Sequence, residues 1–274
     1  MRELQSRPWF GVLVAVWALL LLALALVAYG GGDATVREQQ DIDAARVSAD
    51  RAAFEVVTAA GQRSAARVSG FELARKCRIS VVRDGVSHLR RITLYTSPGG
   101  EADLLRRIAK RLPAEHRAEF HGGRGGPRIV AYVDKFVEVR GASDGAGDGT
   151  VEVEVHTGCR PLGDPTADLR TRPTDAERAR FEEVFELVGV KPGAPPEWRV
   201  ESFRCGRDGA LRSVRARVAT APDRPLSDAA ELAPPDSRVL IGADDLLAYR
   251  QGGLAVVAEA RGDTLTVTTT VSDC

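Results

Sequence analysis

An internal repeat constrains this chain more than any other feature. "DRAAFEVV" at Asp50 to Val57 returns as "ERARFEEV" at Glu177 to Val184. Cys77 is followed by "RISVVRDG" and Cys205 by "GRDG", and "LYTSPGGEADLL" from Leu94 returns as "VATAPDRPLSDAAEL" from Val218. Each half then closes on a Gly/Asp turn, an alternating strand and a cysteine, first from Thr150 to Cys159 and again from Thr264 to Cys274. Landmarks that recur in the same order at a similar offset mark a duplication, so whatever one half folds into the other folds into as well.

Each copy reads as helix, strand, strand, helix, strand, strand. Thr174, with Glu177 three residues on, forms a capping box, and Phe181, Val184, Phe185 and Val188 line one helical face before Gly189 and Pro192 end it. Val151, Val153 and Val155 alternate with Glu152, Glu154 and His156, and Leu265, Val267 and Val271 stand opposite a row of threonines. That period belongs to half-buried strands. Asp84-Gly85 and Asp208-Gly209 have the composition of hairpin turns. The expected fold class is therefore α+β: an N-terminal transmembrane helix, then two tandem α-β-β-α-β-β domains with antiparallel sheets, repeat 1 over 46–160 and repeat 2 over 174–274, with "GDPTADLRTRP" inside a linker at 161–173.

The N-terminus differs from the rest. Trp9 to Tyr29 carries no charge, and at about 1.5 Å per residue such a helix matches a hydrocarbon core of about 30 Å. Aromatic Trp9, Phe10 and Tyr29 stand at its ends, with Arg2 and Arg7 before it. These features predict a signal anchor at 9–29, a short cytoplasmic segment at 1–8, a juxtamembrane linker at 30–45 and an extracytoplasmic remainder at the plasma membrane. A cleavable signal peptide is the competing reading; the apolar run exceeds the usual ~7–15 residues of its core. Either way the rest of the chain leaves the cytoplasm.

The cysteines agree. Cys77, Cys159, Cys205 and Cys274 all lie in the exported part, and their even number suits an oxidising compartment. None has metal-clip spacing. Cys77–Cys159 and Cys205–Cys274, one bridge fastening the ends of each repeat, is the economical pairing, with a cross-repeat Cys77–Cys205 bridge as the alternative.

A search for chemistry yields no catalytic set and no cofactor motif. His116 and His121, near Glu115 and Glu119, suggest metal ligands, but their spacing does not stack two imidazoles on one helix face and "GGRGGP" follows, so a solvated loop is expected. "DGAGDG" at Asp144 to Gly149 lacks the ligands of a calcium loop. "RGD" at Arg261 to Asp263 reads as a turn. No serine lies in a nucleophile elbow.

One contrast remains. On the helix near Glu101 to Leu112, Leu104, Leu105, Ile108 and Leu112 form the apolar stripe, leaving Arg106, Arg107, Lys110 and Arg111 elsewhere on its circumference, while the equivalent "SDAAEL" of repeat 2 is short and acidic. The basic face is thus not demanded by the repeated fold, and it is the candidate binding surface. The chain is expected to be a non-enzymatic envelope protein that binds a protein partner or an anionic envelope polymer. A small-ligand module with a cleft between the repeats, rich in arginine and aromatics such as Trp198, is the alternative; an envelope hydrolase ranks third. Nucleic acid is an implausible partner outside the membrane.

Overall fold

The computed structural model describes residues 8–30, 41–80, 83–123, 125–133, 137–161, 172–205 and 209–272. Two compact units result, 1–40 and 41–274. The first holds α1 (Pro8–Gly30), whose described side chains are exposed. Among the described residues no helix is long and apolar enough to cross a membrane, so the span expected over 9–29 has no support from the structure.

Repeat 1 runs α2 (Ile42–Ala60), β1 (Ala65–Ser80), β2 (Arg83–Tyr95), α3 (Glu101–Arg111), β3 (Glu119–His121), β4 (Arg128–Tyr132), β5 (Glu138–Ala142) and β6 (Thr150–His156). Repeat 2 runs α4 (Asp175–Leu187), β7 (Glu197–Cys205), β8 (Gly209–Val218), α5 (Leu226–Glu231), β9 (Arg238–Ala243), β10 (Leu246–Gln251), β11 (Leu254–Arg261) and β12 (Thr264–Ser272). The sheets have the same order, β1-β2-β6-β5-β4-β3 and β7-β8-β12-β11-β10-β9, and their ladders are antiparallel. The duplication is thus a duplication of topology. The strand count needs correcting: each α-β-β-α-β-β unit is in fact α-β-β-α-β-β-β-β. In repeat 1, β3, β4 and β5 are three to five residues long, too short for alternation to register as a pattern. In repeat 2, Asp244 and Asp245 form the two-residue turn between β9 and β10.

Alternation explains the layers. In repeat 1, Ile92, Leu94, Val151, Val153 and Val155 face Ala52, Ala53 and Val56 of α2 and Leu104, Leu105 and Ile108 of α3 in one core. In repeat 2, Val214, Ala216, Leu265 and Val267 face Phe181, Val184 and Phe185 of α4. The capping box at Thr174 is present: Glu177 N–H donates to Thr174 Oγ1 at 3.2 Å and Thr174 N–H to Glu177 Oε2 at 2.7 Å. The opposite sheet faces meet. Ala65 and Tyr95 of repeat 1 pack with Leu240, Ile241, Ala248, Ala255 and Val257 of repeat 2, so the repeats share a buried interface. Burying that apolar surface, at about 25 cal/mol per Å², favours association.

Along β7 the side chains at 203, 201, 199 and 197 share one face, and they trace the interface from closed to open. Phe203 joins the core of repeat 1. Glu201 sits 3.3 Å from Arg90 Nη1. Gly70 allows this approach, since a Cβ there would lie 2.7 Å from the Glu201 carboxylate. Arg199 and Glu197 reach an open cleft.

Asp50 and Glu177, aligned in the repeat, have parallel duties. Each carboxylate takes an arginine from the second strand of its own hairpin, Arg90 at 2.9 Å for Asp50 and Arg212 for Glu177. Their electrostatics diverge. Burial pushes the Asp50 carboxyl up to about 6 against the pull of Arg90. At Glu177 burial also raises, but hydrogen bonds from Arg212 and from the Thr174 N–H outweigh it and hold the carboxyl below its ordinary value.

Cys77 and Cys159 are bonded, with Cα atoms 6.0 Å apart, which settles the within-repeat pairing for repeat 1. The side chain of Cys205 and the whole of Cys274 lie outside the described residues, as does that pairing. Asp84-Gly85 is not the turn of its hairpin. Both residues are inside β2, opposite Arg78 and Cys77, and a Cβ on Gly85 would lie 2.6 Å from the carbonyl oxygen of Arg160. Glycine is there because the chain after Cys159 crosses tightly over the strand, with Val86 and Arg160 exchanging backbone hydrogen bonds at 2.8 Å each way.

Candidate anion-binding surface

Helix α3 carries Glu101 and Asp103 in its first turn and Lys110 and Arg111 in its last, complementing the helix dipole at both ends. Glu101 is buried, and its carboxylate accepts from the N–H groups of Gly99 and Gly149, fixing the helix start against the β5–β6 loop. Leu104, Leu105 and Ile108 are fully buried. With this stripe inside, Arg106 and Lys110 form one i, i+4 row and Arg107 and Arg111 another. Arg106, Lys110 and Arg111 are exposed and Arg107 half-buried.

The four cations are not equivalent. Arg106 turns back on Asp103 at 2.5 Å and lies over the Phe120 ring at 4.8 Å. Arg107 donates to the carbonyl of Ala60 at 3.2 Å, which caps the last turn of α2. Lys110 and Arg111 enter no ion pair among the described residues. Arg111 Nη1 lies so close to Gly61, the C-cap of α2, that a Cβ there would stand 2.8 Å away.

Two further arginines join them. Burial first, then the charges of Arg63, Arg111 and Arg238, lower the proton affinity of Arg107, with Asp103 opposing. Arg63 follows α2, and Arg238 opens β9 of repeat 2. The surface is therefore built by both repeats. No local signal marked Arg238, which reaches the cluster only through the packing of one repeat on the other.

The remaining candidates separate clearly. His116 is not solvated: it is buried at 3 % exposure with Nε2 2.6 Å from Glu55 Oε2, whereas His121 is exposed beside Glu119 at 3.4 Å. The two histidines thus face different surroundings. Trp198 is not in the cleft between repeats; it stands edge-on to Phe181 at 4.9 Å within repeat 2. Repeat 2 holds a cleft of about 350 Å³ between α4 and β10–β12, where burial and Glu183 push the Tyr249 phenol up to about 12. A wider groove of about 980 Å³ runs between α4 and the 190–196 loop. Neither is lined by a histidine, cysteine or serine.

No protein-family model matches this chain, and no curated protein matches it either.

Proposed function

We propose that this is a non-enzymatic, membrane-anchored protein whose folded repeats lie outside the cytoplasm and bind an anionic envelope component through the α3 face. The observation that carries the reading is the convergence of Arg63, Arg111 and Arg238 on Arg107, while Asp103, the carboxylate that opposes them, is already occupied by Arg106. Excess positive charge held on a folded surface attracts an anionic partner at low ionic strength and loses that attraction as salt is added. Repeat 2 is the internal comparison, since its α5 bears Asp228 and Glu231 and no cation. The anchor rests on the sequence: the uncharged run from Trp9 to Tyr29, with its flanking aromatics and Arg2 and Arg7.

Crosslinking in intact membranes, followed by affinity capture of the tagged chain, tests the reading. Envelope polymer recovered with the wild type and lost with Lys110→Glu/Arg111→Glu supports it. Capture of one recurrent protein, equally lost on charge reversal, would replace the polymer with an acidic protein partner. Capture unchanged by charge reversal would remove α3 from the function.

A further inference from the structure

A second basic surface lies where β1 of repeat 1 meets the outward face of sheet β7-β8-β12-β11, and it shares no residue with the α3 face. Here a cleft of about 370 Å³ is lined by Arg67 of β1 and by Arg199, Arg215, Arg217 and Arg261 of repeat 2. Such a volume is at the small end of the roughly 300–1,000 Å³ range of ligand sites.

The charges do not balance inside it. Glu259 already binds Arg67 at 2.7 Å, Arg261 at 3.7 Å and the Tyr95 hydroxyl at 3.2 Å. Glu197 is 3.8 Å from Arg199. Glu201, in the recess of about 90 Å³ that adjoins the cleft, faces Arg215 but is shared with Arg90. Arg215 and Arg217 enter no ion pair among the described residues. Arg199 and Arg215 stand directly opposite one another across the β7–β8 ladder, an arrangement of like charges that destabilises a sheet.

The same row holds unspent hydrogen-bonding capacity. Among the described residues, Arg215 Nε is buried without a hydrogen-bond partner, and so is the Oγ1 of Thr268, its cross-strand neighbour on β12. Burial, together with Arg67 and Arg199, lowers the proton affinity of Arg215. Buried polar groups left unpaired are costly, and an anion in the cleft, which Arg215 lines, would give its guanidinium a partner and screen it from Arg199. The hydroxyls of Thr264 and Thr266 also line the cleft.

We infer that this seam is a binding site for a small phosphoryl-bearing anion of the diphosphate type, held by Arg199, Arg215 and Arg217 with Arg67 and Arg261 at its margins. Guanidinium forks match phosphoryl oxygens two at a time, and each phosphate monoester carries about −1.5 to −2 charge near neutral pH. Five arginines against Glu197 and Glu259 leave an excess suited to more than one phosphoryl group. Because the site draws on both repeats, its occupant also joins them.

Inorganic pyrophosphate, titrated calorimetrically into the full-length chain in neutral detergent at constant ionic strength, tests this. One high-affinity site per chain is expected, with affinity reduced at least tenfold by Arg199→Gln or Arg217→Gln. Arg199→Gln should also raise the melting temperature of the ligand-free protein, because it removes one of two opposed charges; a merely structural arginine would lower it. Vesicles containing phosphatidate separate the sources of the phosphoryl group. Binding to them alone, retained when the α3 face carries Lys110→Glu/Arg111→Glu and lost when Arg199→Gln or Arg217→Gln is added to that chain, supports the site and assigns the group to a lipid. No saturable binding to either probe, or binding indifferent to Arg199 and Arg217, overturns the inference.

Discussion

The carboxylate of Asp50 and the guanidinium of Arg90 meet at 2.9 Å, with Arg90 only 4 % exposed and stacked between the rings of Phe71 at 4.1 Å and Phe203 at 4.2 Å. Phe203 and Glu201 come from repeat 2, so this one arginine ties both repeats to α2. Its Nη1 also donates to the carbonyl of Ser69 at 2.7 Å. Removing it leaves two carboxylates without their partner, and breaking a buried pair this way costs about 3–5 kcal/mol. Arg90→Ala should destabilise by that amount in chemical denaturation, whereas a loss below about 1 kcal/mol would show the pair to be peripheral.

Asp50 gives a pH test. Its folded carboxyl titrates near 6, above the ordinary 3.8. Between those values the folded protein holds more protons than the unfolded chain, so the stability contributed by this group is present below pH 3.8 and lost as pH rises through about 6. Relative to Asp50→Asn, the wild type should therefore gain stability on acidification from pH 7 to pH 4, by at most about 3 kcal/mol at roughly 1.4 kcal/mol per pKa unit. Thermal melts of both proteins across this range decide it; parallel curves would mean that Asp50 does not titrate there.

The disulfide closes a long loop, Cys77 and Cys159 standing 82 positions apart. Cross-links of this kind stabilise by about 2–4 kcal/mol. Cys77→Ser/Cys159→Ser should lose that amount, and non-reducing peptide mapping should recover the two cysteines in one linked fragment. Recovery of a Cys77–Cys205 peptide would contradict the arrangement.

Gly149 and Gly147 make a matched pair for steric strain. Both have positive φ, 86° and 74°. A Cβ on Gly149 would lie 2.2 Å from the carbonyl oxygen of Thr96, whereas one on Gly147 would meet nothing within 4 Å. Gly147→Ala should cost about 1 kcal/mol, the backbone penalty alone. Gly149→Ala should cost about 2 kcal/mol or more, because backbone must move. Equal melting temperatures for the two variants would refute the contact.

The repeat, the capping box and the valine faces were legible because each depends on local order in the chain. The fate of the threonine row was not. Thr268 and Thr270 alternate with core residues as solvent-facing side chains do, yet they are 1 % and 4 % exposed because β1 of repeat 1 covers that face, and Thr270 Oγ1 donates to the carbonyl of Ala66 at 2.7 Å. A polar face buried by a distant repeat has the same period as one facing water. Nothing local in the sequence marks Arg90, because its partners stand 40 and 111 positions away. The α3 face was legible as a helical pattern; that Arg107 caps α2 and that Arg238 joins the cluster depends on packing. The arginines of the seam are scattered along four strands, and only the sheet register brings Arg199 and Arg215 together.

Binding of the full-length chain to an anionic envelope polymer or to anionic vesicles, at low and at high salt, tests the central claim most directly. Saturable binding at low salt is expected, weakened about tenfold or more by Lys110→Glu/Arg111→Glu at unchanged melting temperature, and weakened similarly when salt shortens the screening length below about 8 Å. Binding that ignores both the charge reversal and the salt would contradict the account.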